Sequence, residues 1–78
     1  MSEHVRRDEG DALLRDASLR ITKPRQAIAR VLVEAEDHPD AEQVLVRARE
    51  NDPSVSQATA YHTLAVLADK GLLRTHTF

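Results

Sequence analysis

Apolar residues recur at three- and four-residue steps in four successive stretches of the chain, which predicts four helices. Leu13, Leu14 and Ala17 mark a short first helix over residues 9–17, and the charged segment before it is expected to fray, with residues 1–8 flexible. Ile28, Val31, Leu32 and Ala35 mark a second helix running to residue 36. Thr22 is placed to cap it, and Pro24 falls in the first turn, where a missing N–H costs little. His38 precedes Pro39 and is biased away from helical backbone, so Asp37-His38-Pro39-Asp40 is a break. Asp40 and Gln43 form a capping-box pair that opens a third helix to about Asn51, with Ala41, Val44, Leu45 and Ala48 as its apolar stripe. Asp52-Pro53-Ser54 is a turn, and Val55 is a one-residue apolar anchor before Ser56 caps the fourth helix, residues 57–70. Gly71 suits the left-handed position just past its end.

This fourth stretch organises the rest. Tyr61, Leu64, Ala65, Ala68 and Leu72 are expected to form its buried stripe. Thr59, His62, Thr63 and Val66 are expected on the other side, with Gln57 near the N-terminal end. That second side is short and polar, with no charge before Asp69 and Lys70, whereas a solvated helix more often carries Lys and Glu. Such a side suits base edges in a DNA major groove, and equally the bland exterior of a core helix. Leu72 to Phe78 has β-favouring residues in partial alternation and reads as one strand whose partner is missing. Helix, turn, helix and strand in that order predict a mainly α, winged helix-turn-helix domain spanning residues 1–78, with the strand beginning a truncated wing.

Composition narrows the function. At 78 residues there is room for one small core, built from Leu, Val, Ile and Ala because only Tyr61 and Phe78 are aromatic. No cysteine is present, so the chain supplies neither a disulfide nor a thiolate metal site, in keeping with a reducing cytoplasm. No apolar run approaches the ~18–20 residues of a membrane span, and no signal-peptide pattern opens the chain, so a cytoplasmic protein without membrane partners is expected. Catalysis finds no support: there is no glycine-rich phosphate loop and no arrangement that pairs a nucleophile with a base. The net charge of −2 argues mildly against nucleic acid, but its distribution is bipolar. Residues 34–52 hold seven acids against Arg47 and Arg49, while residues 18–33 hold Arg20, Lys23, Arg25 and Arg30 without an acid. One end of the molecule is thus suited to phosphates.

Four motifs in register carry a resemblance. They are L-R-I-T-K-P-R-Q-A-I at Leu19–Ile28, H-P-D-A-E-Q at His38–Gln43, A-T-A-Y-H-T-L at Ala58–Leu64 and K-G-L-L-R-T-H-T-F at Lys70–Phe78. Together they resemble the DNA-binding half of the ferric uptake regulator family of bacterial metal-responsive repressors, over roughly residues 13–78. The resemblance implies a winged-helix domain on double-stranded DNA, followed in the intact protein by a dimerisation domain that holds the metal sites. The chain is therefore expected to be an N-terminal domain that homodimerises through a part not included here. It would bind no cofactor alone, with a divalent metal (iron, zinc or manganese) belonging to the full-length protein.

By that resemblance Tyr61 reaches a thymine methyl or a phosphate, although its place on the stripe also suits the rim of the core. Arg20 resembles the basic residue that the family directs to an A·T-rich minor groove, where narrow width concentrates negative potential. Lys23 and Arg25 are phosphate candidates, Arg25 with the alternative of an acid partner. Ser56, Gln57, Thr59 and Thr63 are candidate donors to phosphate or base edges. His38 matches the family histidine contributed to the regulatory metal site, beside Asp37 and Asp40, but one imidazole does not make a site. His4 and His76 read as exposed. Two positions depart from the family pattern A-T-V-Y-R: Ala60 loses packing volume, and His62 replaces an arginine able to contact guanine or phosphate with two donors. A changed operator preference follows from His62. Together with the net negative charge it also motivates the alternative of a winged-helix protein–protein module that has lost DNA binding.

Overall fold

The computed structural model describes residues 2–37 and 39–73, with side chains from Glu9 onward. Four α-helices are found among the described residues: α1 (Ser2–Asp16), α2 (Lys23–Glu34), α3 (Ala41–Asn51) and α4 (Gln57–Asp69). α2 is the hub, packing against α1, α3 and α4, and α3 packs against α4. Ile28, Val44, Ala48, Val55 and Ala60 are almost wholly buried at the centre of the main core cluster, with Leu32 and Leu64 packed against its edge. Leu14, Ala17 and Leu67 are buried as well. Each buried Leu, Ile or Val contributes on the order of 1.5–3 kcal/mol, so a handful of aliphatics hold a domain of this size.

Local chemistry sets the helix ends. Thr22 Oγ1 accepts from Arg25 N at 3.4 Å, and Pro24 occupies the first turn of α2. Both halves of the capping box of α3 form: Asp40 Oδ1 accepts from Gln43 N at 2.9 Å, and Asp40 N donates to Gln43 Oε1 at 3.1 Å. At the end of α4, Gly71 has φ +70° while Leu72 N donates to Leu67 O and Gly71 N to Ala68 O. This is the paired 6→1 and 5→2 closure that a left-handed residue permits. α1 closes in the same way, with Leu19 N bonded to Leu14 O and Ser18 N to Arg15 O, but its left-handed residue is Ser18, at φ 61°.

Three expectations change. α1 starts at Ser2 rather than Glu9: Glu3, Arg6, Arg7 and Glu9 are good helix formers, and residues 2–9 contain no Pro or Gly to stop propagation. Leu72 and Leu73 lie in no strand, and the remainder of the predicted strand, residues 74–78 including His76, falls outside the described residues. The third change is the rotation of α4. Its buried residues are Ala60, Thr63 and Leu67, whereas Tyr61, Ala65 and Ala68 face outward. The expected stripe is out of phase by one residue, about 100° around the helix. The helix is apolar or short-chained on every side, so periodicity alone permits two phases. Leu67 and Leu64 take the inner side together with Ala60, whose small size suits a closely packed position. No helix among the described residues is long and apolar enough to cross a membrane.

Candidate nucleic-acid interface

The turn between α3 and α4 is braced from both sides. Asp52 Oδ1 accepts from Ser54 N at 3.0 Å and from Ser54 Oγ at 2.6 Å, and Val55 N donates to Asp52 O at 3.1 Å. These two Ser54 bonds, reinforced by the charge of Lys23, hold the Asp52 carboxyl below its ordinary pKa. Val55 is buried to 1% exposure, and Arg49 Nε donates to its carbonyl at 2.8 Å. A buried side chain and two polar clamps therefore set the angle at which α4 leaves the turn. Arg49 is a contributor that periodicity did not disclose, since its role depends on where the turn folds back.

α4 then presents its outer side. Ser56 Oγ accepts from Thr59 N at 3.0 Å and donates to Thr59 Oγ1 at 2.9 Å, so both hydroxyls serve the N-cap. Ser56 remains exposed and Thr59 is half-buried. Beyond them Gln57, Ala58, Tyr61, His62 and Ala65 form one exposed, uncharged surface, with Tyr61 at 42% exposure. Tyr61 is thus not a member of the buried stripe. Thr63 is the opposite case: it is 0% exposed, its Oγ1 has no hydrogen-bond partner, and it is removed from the outward set. Ala58 and Ala65 replace it as small outward residues whose methyls would let the helix approach a surface closely. Their one-sided spacing with Tyr61 and His62 was the available sequence signal.

Part of the basic segment lies beside the α3–α4 turn. Lys23 lines an open cleft of about 440 Å³ with Gln26, Arg30, Asn51 and Asp52, which brings the start of α2 beside the α3–α4 turn. Arg20 and Lys23 are exposed. Arg25 is half-buried, and its Nη1 donates to the backbone carbonyl of Arg20 at 3.0 Å. The structure therefore sets Lys23 beside the end of α3 and the turn that leads into α4, and turns Thr63 inward.

The metal candidate fares differently. His38 lies outside the described residues. Its flanking carboxylates are engaged: both oxygens of Asp37 accept from Arg47, at 3.1 and 2.8 Å, and Asp40 caps α3. The hydrogen bond to Asp37 raises the Arg47 pKa, as expected of a paired guanidinium. No three His, Cys, Asp or Glu side chains among the described residues converge on a cation position. The negative charge of this loop is thus partly neutralised internally, and the described residues do not fit a metal centre.

Comparison with known proteins adds an independent line. The model of the Ferric uptake regulator family matches residues 16–78. A Ferric uptake regulation protein of Brucella abortus (strain 2308) is 46% identical over 65 residues, which cover 83% of this chain and 46% of the relative. One from Rhizobium leguminosarum bv. viciae is 35% identical over 68 residues, covering 87% and 48%. The Peroxide-responsive repressor PerR of Staphylococcus aureus (strain Mu50 / ATCC 700699) is 38% identical over 71 residues, covering 91% and 48%. The chain spans about half the length of these curated relatives. No solved structure matches it significantly.

Proposed function

This chain belongs to the ferric uptake regulator family, and from that premise we propose that it is the sequence-specific DNA-binding domain of a metal-responsive transcriptional repressor. In this reading it is a winged helix-turn-helix in which α4 enters the major groove. Ser56 and Gln57 approach phosphate at the helix N-terminus, where unpaired N–H groups favour anions. Tyr61, His62 and the methyls of Ala58 and Ala65 meet base edges. Arg20 and Lys23 hold the backbone or minor groove beside it. The observation that carries this reading is the uncharged, exposed side of α4, with Lys23 of the basic segment beside the turn that leads into it.

His62 sets the strength and preference of that contact. An imidazole offers one donor where an arginine offers a two-donor, permanently charged fork. Metal control is assigned in this reading to a full-length regulator. The relatives are named for iron uptake and for peroxide response, so this shared half does not specify the signal. A metal bound elsewhere would act by favouring a domain arrangement in which two recognition helices match the operator spacing.

Fluorescence anisotropy of the chain with duplex DNA across a salt series tests the reading. Affinity should fall steeply with ionic strength, and His62→Arg should tighten binding and shift the base preference at the contacted position towards guanine. A flat salt response or no binding would instead favour a protein–protein module.

A further inference from the structure

We propose that Arg25 is a positioning residue that holds the backbone at Arg20, rather than a phosphate contact in its own right; this rests on the DNA-binding reading above. The segment between α1 and α2 is fastened at both ends. At its start the closure at Ser18 locks Leu19 to Leu14 O at 2.9 Å. At its end Thr22 caps α2 through Arg25 N, and Gln26 N donates to Thr22 O at 2.8 Å. Arg20 stands between these fastenings, and its carbonyl accepts from Arg25 Nη1 at 3.0 Å.

Two further observations bear on the role of Arg25. Its Nε is buried without a hydrogen-bond partner, and it forms no ion pair with a carboxylate among the described residues. A half-buried guanidinium aimed at a carbonyl is turned along the protein surface rather than out from it. Arg20, by contrast, is exposed, with its carbonyl directed to Arg25. Fixing that carbonyl orients the peptide plane, and with it the direction in which the Arg20 side chain leaves the backbone. A long cation that reaches a narrow groove benefits because its starting point is already ordered before binding.

The test is a double-mutant cycle in the 78-residue chain with Arg25→Met, Arg20→Ala and the pair, read as the salt slope of binding to A·T-rich and G·C-rich duplexes of equal length. Positioning predicts that each single variant and the double variant lose the same slope, about 0.9, and the same part of the A·T preference. A double variant that loses about 1.8 would mean that Arg25 meets phosphate itself, and an unchanged Arg25→Met would mean that it does neither; both overturn the proposal. Should Arg25→Met melt below the assay temperature, Arg25→Gln replaces it. The amide keeps a donor for the carbonyl without the charge, so positioning predicts a retained slope and direct contact predicts a loss of about 0.9. Wild-type chain that shows no salt-dependent binding would sink the DNA reading itself, an outcome distinct from all of these.

Discussion

Thr63 shows how much a single atom can decide. Its hydroxyl is fully buried without a partner, whereas a threonine within a helix often returns its proton to a carbonyl one turn back. Such an orphan costs on the order of 1–3 kcal/mol, and valine fills nearly the same volume without it. Thr63→Val should therefore stabilise the domain by about 1 kcal/mol, raising the melting temperature by roughly 4–8 °C. Because the residue faces inward, DNA affinity should stay unchanged; weakened DNA binding at full stability would show that Thr63 faces the ligand. Asp52 makes a complementary prediction in pH. Its folded pKa lies below the ordinary 3.8, so its contribution is fully present above that value and is lost as pH falls through the lower folded one. The stability difference between wild type and Asp52→Asn, followed by thermal melts, should be constant near neutrality and shrink on acidification below 3.8.

At the scale of the element, α4 tests whether a helix is buried where its pattern is most apolar. Its sequence offers Tyr61, Leu64, Ala65, Ala68 and Leu72 at steps that suit one stripe, and a second series through Ala60, Thr63 and Leu67 that shares Leu64 at its edge. The second series is the inner one. Leu67→Ala should thus cost about 2–5 kcal/mol, a large share of the stability available to a domain this small. Ala65→Ser should stay within about 0.5 kcal/mol. Chemical denaturation separates the two, and a reversed order would restore the stripe read from periodicity. The caps were legible in advance because each depends on a few adjacent residues: Thr22, the Asp40–Gln43 pair and Ser56 cap as their side chains predict, and Gly71 takes the left-handed backbone that its lack of a side chain permits. The closure at Ser18 was not, since serine is an uncommon choice for a left-handed position.

For the molecule as a whole, the bipolar charge acquires a geometry. Lys23 stands near the α3–α4 turn, while Asp37 is tied to Arg47 and Glu34 accepts from Arg30 at 3.0 Å. Net charge alone was therefore a poor guide, because local pairing decides which charges remain to face a ligand. On the proposed DNA-binding reading a single domain would make few phosphate contacts, so its affinity should be weak. Joining two copies by a linker that spans adjacent half-sites should raise apparent affinity by about 10²–10⁴-fold on a two-site duplex and leave it unchanged on a one-site duplex. Gel-shift titrations of both duplexes check this, and an equal gain on each would point to non-specific charge.

What the amino-acid order determined by itself was local: the existence and approximate limits of α2, α3 and α4, their caps, and the turn that joins the last two. Those features rest on hydrogen bonds and φ preferences within a few residues, which neighbours in sequence settle. Tertiary structure alone decided the rotation of α4, the inward place of Thr63 and the clamp from Arg25 to the Arg20 carbonyl. A helix that is nearly apolar all round has no preferred side until other helices meet it, and the packing of Leu67 and Ala60 against their neighbours selects one.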